Sequence, residues 1–351
     1  MPQATAYAID SPTGRFSRTT ITRRDPGPTE VLFDIAFAGI CHSDIHTARG
    51  EWGPAKYPLV PGHELAGIVR EVGAEVTGFA VGDRVGVGCF VDSCGECDNC
   101  RAGEEQFCDG PGSTIWTYNA LGRDGLPTAG GYSTCITVEQ DYLCRIPDSI
   151  PLQQAAPLLC AGITLYSPLK RWGAAPGKRV AIVGMGGLGH MGVQIAAAMG
   201  AEVAVISQTR SKEADGRRFG ATEYYAVSEP GTLRSLARQF DLIVSTVSGD
   251  QNLNGLINCL KTGGALVDVG LPEHPVTLKL GGLVSQRRVL AGSQIGGIAE
   301  TQEMLDFCAE HGLAAQIELI GGEDINDAYD RVVASQVRYR YVIDTATFAD
   351  A

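Results

Sequence analysis

Four cysteines lie within one short segment and have the spacing of a metal site. The segment CGECDNCRAGEEQFC has the pattern C-x2-C-x2-C-x7-C, formed by Cys94, Cys97, Cys100 and Cys108. Four thiolates at this density satisfy tetrahedral zinc and leave no open position, so the pattern predicts a structural zinc. Four unrelated free thiols are the alternative, but closed sets with this spacing are among the stronger sequence signals for zinc.

A second, dispersed set combines two cysteines with a histidine. Cys41 lies in GICHSDIH, His63 in VPGHELAG and Cys160 in APLLCAGIT. Two thiolates and one imidazole leave a fourth position open for water or substrate, as a catalytic zinc requires. Taken singly, Cys160 also fits a buried packing residue and His63 an ordinary loop histidine. The hypothesis of a catalytic zinc therefore depends on the rest of the chain.

A strand, a glycine turn and a helix follow one another from residue 179. RVAIV (179–183) precedes GMGGLGH, and MGVQIAAAMG follows. Gly184, Gly186 and Gly189 form G-x-G-x-x-G in the context of a dinucleotide fingerprint, and Gly187 and Leu188 complete the loop. Later strand candidates AEVAVIS, DLIVSTV and GALVDVG continue the alternation of a parallel sheet. This half of the chain is predicted to be an α/β, doubly wound Rossmann sheet that binds a dinucleotide.

The predicted second strand of this sheet ends without an acidic residue. NAD-binding proteins place Asp or Glu about 20 residues after the glycines to bind the ribose 2′-hydroxyl. The chain instead has hydroxyls, an amide and two cations there, at Ser207, Gln208, Thr209, Arg210, Ser211 and Lys212. These groups suit a 2′-phosphate, which a carboxylate would repel. The two cations could also be solvated residues at a helix start, but the segment favours NADP(H).

Size and charge restrict the class of protein further. A chain of 351 residues exceeds what one core usually organises, so two domains are expected. The chain lacks a long apolar run, so we expect no membrane partner. Its first residues lack the features of a signal peptide, so we expect a cytoplasmic protein with reduced thiols. A net charge of −12 disfavours nucleic acid as a partner.

Motifs along nearly the whole chain resemble those of the zinc-dependent medium-chain alcohol dehydrogenases. The closest resemblance is to the cinnamyl-alcohol-dehydrogenase-like branch and its NADP-dependent bacterial members. The motifs are GICHSDIH, YPLVPGHELAG, GDRVGVG, the four-cysteine segment, IWTYN, PLLCAGITLYSPL, GMGGLGHMGVQIAAAMG and VRYRYVID. The resemblance implies a GroES-like, β-rich catalytic domain over residues 1–156 and 296–351, with a structural zinc lobe at about 89–112. It also implies that a Rossmann domain over 157–295 is inserted between these two segments.

The same resemblance implies a cofactor, a substrate and roles for individual residues. It implies NADP(H), two zinc ions per chain, a small alcohol or aldehyde substrate and a homodimer. Cys41, His63 and Cys160 would hold the catalytic zinc. Glu64 would approach the metal during ligand exchange, and Asp44 would orient His63. Ser43 would accept the alcohol proton and His46 would pass it towards solvent, although His46 could also be a plain surface histidine.

The remaining assignments concern the cofactor and the substrate pocket. Gln294 stands where plant relatives carry a bulky aromatic residue, so cinnamyl specificity is not implied. The residues assigned to the cofactor by resemblance are His42, Thr164 and Arg340, with Arg338 as the alternative to Arg340. The residues assigned to an apolar substrate pocket are Trp52, Leu59 and Trp116, whose alternative role is packing in the core, and Gln294 is assigned to the mouth of the pocket.

Three other classes of protein would explain parts of this sequence. An NAD-dependent or formaldehyde-type dehydrogenase on the same fold would differ in its cofactor pocket or substrate. A zinc-ribbon protein that binds nucleic acid would explain the four-cysteine segment alone, but the acidic charge and the glycine fingerprint oppose it. A relative that has lost zinc chemistry conflicts with the presence of all three catalytic ligand types.

Overall fold

The computed structural model describes residues 1–272 and 274–349, which belong to two compact units. Unit 1 comprises Met1–Cys160 and Gly296–Ala351, and unit 2 comprises Ala161–Ile295. The first boundary lies after Cys160 and not after residue 156, so Cys160 belongs to the same unit as Cys41 and His63. The second boundary lies after Ile295.

Strands make up the framework of both units. In chain order they are β1 (Gln3–Ala8), β2 (Ser17–Thr22), β3 (Glu30–Gly39), β4 (Leu65–Val72), β5 (Arg84–Val87), β6 (Phe90–Asp92), β7 (Ile115–Trp116), β8 (Cys135–Glu139), β9 (Cys144–Arg145), β10 (Arg179–Val183), β11 (Glu202–Ser207), β12 (Glu223–Ala226), β13 (Phe240–Ser245), β14 (Leu260–Asp268), β15 (Val289–Gly292), β16 (Ile317–Ile320) and β17 (Arg340–Asp344).

Helices connect these strands and cover the sheet of unit 2. In chain order they are α1 (His42–Ala48), α2 (Asp98–Arg101), α3 (Leu152–Ala155), α4 (Ala161–Arg171), α5 (Gly189–Ala198), α6 (Glu213–Arg218), α7 (Thr232–Ser235), α8 (Leu253–Cys259), α9 (Gly281–Val284), α10 (Ile298–Glu310) and α11 (Ile325–Val333). None of the helices in residues 1–272 and 274–349 is long and apolar enough to cross a lipid bilayer.

Unit 1 is built around a mostly antiparallel sheet with the order β16-β17-β3-β4-β5-β9, and β8 also pairs with β3. The long strand β3 is central because its residues are almost all buried or half-buried, as a strand covered on both faces requires. The C-terminal strand β17 pairs antiparallel with β3, with Val342 opposite Gly39. The C-terminal segment therefore completes the sheet that the N-terminal segment begins.

Unit 2 contains a six-stranded sheet with the order β12-β11-β10-β13-β14-β15. Every adjacent pair of strands is parallel. Strands β10 and β13 consist almost entirely of buried apolar residues, because helices cover both faces of such a sheet. Strand order reverses between β10 and β13, and ligands of doubly wound sheets bind beyond the carboxyl ends of the strands at this point. The predicted Rossmann sheet is confirmed.

Candidate active site and metal centres

The four cysteines of the predicted structural site converge in unit 1. The sulfur atoms of Cys94, Cys97, Cys100 and Cys108 all lie within 4.8 Å of one another. The backbone amides of Glu96 and Cys97 donate to the Cys94 sulfur and lower the pKa of that thiol to about 6. Backbone N–H donors around a thiolate cluster stabilise its negative charge. The geometry and the donor set fit a tetrahedral zinc with no open position.

The dispersed ligand set also converges, and all of its members are buried. One ligand atom from each of Cys41, His63, Glu64 and Cys160 lies within 4.8 Å of every other. Cys41 precedes α1, His63 and Glu64 directly precede β4, and Cys160 directly precedes α4. A hydrogen bond with Cys160 holds the pKa of the Cys41 thiol well below its usual value, although burial opposes this shift. A metal binds the thiolate form, so a thiol with a lowered pKa is readily deprotonated when a cation binds.

Asp44 orients the histidine of this set. Its Oδ1 atom lies 2.9 Å from His63 Nδ1, and both side chains are buried. Because an ionised carboxylate only accepts hydrogen bonds, Nδ1 carries the proton and the Nε2 lone pair is free for a metal. Burial lowers the pKa of His63, but Asp44, Cys89 and Cys41 together more than offset this effect, so the pKa lies well above its usual value. Asp44 therefore makes His63 a more basic ligand.

Glu64 forms a buried ion pair with Arg340 through Oε1. Its second oxygen, Oε2, is buried and has no hydrogen-bond partner among the described residues. Burial raises the pKa of Glu64 to about 7, while the Arg340 guanidinium opposes this rise. An orphaned carboxylate oxygen beside two thiols and an imidazole fits a site that holds a cation, because an unpaired buried acceptor is costly. Arg340, assigned to the cofactor by resemblance, has Glu64 as its partner in this structure.

Two further residues of α1 carry groups that can move a proton. Ser43 Oγ lies 3.6 Å from the Cys41 sulfur, so its hydroxyl is adjacent to the ligand set. His46 hydrogen-bonds through Nδ1 to the Glu51 carboxylate and stacks on the Trp52 ring, with ring centroids 4.9 Å apart. Glu51 therefore leaves His46 Nε2 available as a proton acceptor. The sequence interpretation missed Glu51 because no motif links it to His46.

The glycine loop of unit 2 has the geometry that a dinucleotide requires. Gly184 directly follows β10 and has φ +93°, and a Cβ atom there would lie 2.6 Å from Thr246 Oγ1. A Cβ atom at Gly186 would meet no atom within 4 Å, so the loop is open at that point. Gly189 begins α5 with its α-carbon against the Gly184 carbonyl. The loop can therefore bring its backbone close to a pyrophosphate at a helix N-terminus.

A cavity of about 1010 Å³ lies in unit 2 beside this loop. Gly184, Ser207, Gln208 and Val247 are among its lining residues. Its volume suits a large part of a dinucleotide. Ser207 ends β11, and Gln208, Thr209 and Ser211 follow with exposed side chains. The Ser207 hydroxyl and the Gln208 amide are therefore accessible at the cavity, and the exposed hydroxyls of Thr209 and Ser211 follow them in the chain.

The two cations predicted for the 2′-phosphate have different environments. Arg210 donates four hydrogen bonds, two to Glu229, one to Glu213 and one to the Tyr224 carbonyl. Two carboxylates thus compensate its positive charge, so we expect Arg210 to bind a phosphate more weakly than its residue type suggests. Lys212 donates from Nζ to the Met185 carbonyl at 3.0 Å, which places its ammonium beside the glycine loop.

The residues assigned to the substrate pocket have diverse environments. Leu59 is only 2% exposed and pairs through its backbone with Ile9. Trp52 is exposed, and Trp116 is half-buried in β7 opposite Phe90. Gln294 is exposed in unit 2. The burial of Leu59 fits both a packing residue and the wall of an enclosed pocket, while Trp52 is exposed beside His46.

Thr164 and His42, both assigned to the cofactor by resemblance, differ in burial. Thr164 is buried in α4, and His42 is exposed at the start of α1. Several side chains around the ligand set were missed by the sequence interpretation because each lies far from the ligands in the chain or in no motif. Cys89 hydrogen-bonds to Cys160, and Tyr118 stacks on His63. Tyr132 donates a hydrogen bond to Asp44, and Tyr329 donates one to Tyr132.

Comparison with known proteins identifies the family. Residues 27–148 match the alcohol dehydrogenase GroES-like domain, and residues 187–310 match the zinc-binding dehydrogenase domain. NADP-dependent alcohol dehydrogenase C 1 of Mycolicibacterium smegmatis is 61% identical over 347 residues, which cover 99% of each chain. The chain therefore belongs to the zinc-dependent medium-chain alcohol dehydrogenases.

Two solved structures place the chain within this family. A cinnamyl alcohol dehydrogenase of Sorghum bicolor matches with a TM-score of 0.95 and 40% identity over 100% of both chains. The CAD of Helicobacter pylori complexed with NADP(H) matches with a TM-score of 0.92 and 42% identity over 98% of both chains. The predicted branch and the combination of a GroES-like unit with a Rossmann sheet are confirmed.

Proposed function

We propose that the protein is a zinc-dependent alcohol dehydrogenase and aldehyde reductase that transfers hydride between NADP(H) and primary alcohols or aldehydes with aromatic or medium aliphatic groups. The observation that carries this proposal is the buried set Cys41, His63 and Cys160 beside the orphaned Oε2 of Glu64. Two thiolates and an imidazole form the ligand set of a catalytic zinc with one open position.

The residues around this ligand set have different roles in the proposed reaction. When bound, zinc supplies a Lewis acid that favours an alkoxide, and NADP(H) supplies or accepts the hydride. Asp44 holds His63 in one tautomer through the 2.9 Å contact at Nδ1. Ser43 is adjacent to the ligand set and would accept the alcohol proton. His46, held by Glu51, would pass that proton to solvent in oxidation and supply it in reduction.

The preference for NADP(H) is assigned to the end of β11. Ser207 replaces the carboxylate of NAD-binding proteins, while Thr209, Ser211 and Lys212 provide donors for a phosphate. The Mycolicibacterium smegmatis relative is named as NADP-dependent, and the Helicobacter pylori structure contains NADP(H). Both relatives support the same cofactor for this chain.

The direct test is a steady-state assay of the purified protein with benzaldehyde and cinnamaldehyde, each with NADPH and with NADH. Zinc content is measured on the same sample. We expect two zinc ions per chain and a kcat/KM with NADPH at least about tenfold above that with NADH, since one charge-assisted hydrogen bond contributes 1.5–3 kcal/mol. One zinc per chain without turnover of either aldehyde would contradict the catalytic site. Two zinc ions with NADH preferred would contradict only the cofactor assignment.

We also propose that the protein is a cytoplasmic homodimer that forms through unit 2. Strand β15 is an edge strand of the parallel sheet, and an unpaired edge is a template for a second copy. Exposed apolar residues precede or lie on this edge, namely Val276, Leu280, Val284 and Val289. A cytoplasmic location agrees with eleven free cysteines, because both zinc sites need reduced thiols.

Placing a charge on this edge is expected to split the dimer. Val284 is 78% exposed, so Val284→Asp leaves the isolated chain intact but buries a carboxylate in an apolar interface. Sedimentation velocity should show a dimer for the wild type and a monomer for the variant. Val81→Asp is the matched control, because Val81 is 65% exposed in unit 1. A variant Val284→Asp that remains dimeric would place the interface elsewhere.

A further inference from the structure

The Asp44 carboxylate has a hydrogen-bond donor at each of four positions. Oδ1 accepts from His63 Nδ1 at 2.9 Å and from the Gly62 amide at 3.2 Å. Oδ2 accepts from the Cys41 amide at 2.9 Å and from the Tyr132 hydroxyl at 3.3 Å. Because each carboxylate oxygen has two lone pairs, this buried group is fully satisfied. Tyr132 supplies the one donor that comes from neither a zinc ligand nor a residue next to one.

A second tyrosine fixes the direction of this contact. The Tyr329 hydroxyl lies 3.3 Å from the Tyr132 hydroxyl, and the two side chains are 5% and 0% exposed. Since Asp44 can only accept, Tyr132 donates to Asp44, and Tyr329 then donates to Tyr132. The Phe16 ring packs against both, with centroids 5.9 Å and 5.0 Å away. The pair is therefore held rigidly in one arrangement.

The backbone beside the ligand histidine is shaped to admit the Tyr132 ring. Gly62 has φ +107°, and a Cβ atom there would lie 2.7 Å from Cδ1 of Tyr132. Glycine is thus required at the residue before His63 both by the backbone conformation and by this contact. The Tyr132 ring packs against the turn that precedes His63. The ring and the hydroxyl of Tyr132 therefore both restrict the position of His63.

We propose that Tyr132, supported by Tyr329, is a positioning residue that fixes Asp44 and, through Asp44, the metal-binding orientation of His63. This inference rests on the proposed catalytic zinc site. Partners of a ligating histidine set its ring orientation and its basicity. The contribution of Tyr132 passes through Asp44, so it affects how firmly the site holds its metal and not the route of the proton.

The test measures zinc release from the purified, zinc-loaded full-length protein into a chromophoric chelator. In Tyr132→Phe, the catalytic zinc is expected to leave roughly tenfold faster than in the wild type, the lower end of the 10–100-fold range for such partners. Tyr329→Phe is expected to give about a threefold increase, because it removes one hydrogen bond further from the metal. Cobalt substituted at the catalytic site should also show a shifted d–d absorption spectrum in Tyr132→Phe.

Tyr118→Phe is the matched control. Tyr118 is buried and stacks on His63 with centroids 5.8 Å apart, but its hydroxyl donates to Thr47 Oγ1 and not to Asp44. Its zinc release and cobalt spectrum should equal those of the wild type. The proposal would be overturned if all three variants released zinc at the wild-type rate. It would also be overturned if Tyr118→Phe released zinc as fast as Tyr132→Phe.

Two further outcomes separate the possible failures. If the wild type binds only one zinc per chain, the catalytic zinc site itself is overturned. If it binds two, the zinc release of the variants tests the role of Tyr132. If Tyr132→Phe does not fold, as judged by circular dichroism, Tyr329→Phe decides the outcome. Unchanged zinc release from a folded Tyr329→Phe would then overturn the proposal.

Discussion

Replacing Cys160 with serine is expected to leave one zinc per chain and to lower kcat/KM for aldehyde reduction by on the order of 10⁴-fold. A serine hydroxyl remains protonated at neutral pH and cannot replace a thiolate as a ligand. A Lewis acid contributes several kcal/mol of transition-state stabilisation, and each 1.36 kcal/mol corresponds to tenfold in rate. The measurements are zinc content by atomic spectroscopy and initial rates with NADPH and benzaldehyde.

The cysteine content of the protein provides a close control for this substitution. Cys308 is fully buried in α10 and contacts Met304, but it belongs to neither metal group. Cys308→Ser should therefore retain two zinc ions and a rate near that of the wild type. Cys160→Ser should still bind NADPH, because the glycine loop lies in unit 2 and is unchanged. Two zinc ions and an undiminished rate in Cys160→Ser would show that Cys160 is a packing residue.

Those parts of the protein that depend on local patterns could be predicted from the sequence. The four cysteines lie within fifteen residues, so their spacing alone specifies a closed site. The loop from Gly184 to Gly189 has a strand before it and a helix after it, and the predicted strand 179–183 coincides with β10. In both cases the residues that form the site are close in the chain, and glycines allow the backbone to turn sharply between them.

Contacts between distant segments could not be predicted in this way. Arg340 pairs with Glu64, and Tyr329 donates to Tyr132, although about 200 or more residues separate the members of each pair. Arg340 reaches Glu64 because β17 joins the sheet at β3, and Tyr329 lies in α11 of the same C-terminal segment. The family resemblance implied the return of this segment, but composition and spacing did not. Residue type indicated that each of these side chains could form hydrogen bonds, but only the fold determined their partners.

Arg210 shows how a correct pattern can mislead about an individual residue. Its segment contains the donors that a 2′-phosphate needs, and arginine is the strongest phosphate ligand by type. Folding brings Glu229 from beyond β12 to the guanidinium, and Glu213, three residues after Arg210, pairs with it from the start of α6. The positive charge that the sequence assigned to the phosphate is therefore compensated within the protein. We therefore expect Ser207 and Lys212 to contribute more to phosphate binding than Arg210.

Replacing Ser207 with aspartate is expected to reverse the cofactor preference. The new carboxylate would lie at the end of β11, where it accepts hydrogen bonds from a 2′-hydroxyl and repels a 2′-phosphate. Two like charges about 4 Å apart repel by roughly 4 kcal/mol near a protein surface. We expect kcat/KM with NADPH to fall by on the order of 10²-fold or more, while kcat/KM with NADH is unchanged or rises several-fold. Initial rates at varied cofactor concentration measure both values.

Ser207→Asn separates the effect of charge from the effect of size, because asparagine has nearly the shape of aspartate without its charge. Its kcat/KM with NADPH should fall much less than that of Ser207→Asp, since an amide can still donate to a phosphate. Ser207 is half-buried at the strand end, so both variants should fold, and their thermal unfolding midpoints check this directly. If Ser207→Asp retains the NADPH preference of the wild type, the 2′-phosphate is not bound at the end of β11. Discrimination between the cofactors would then have to come from groups farther from Ser207.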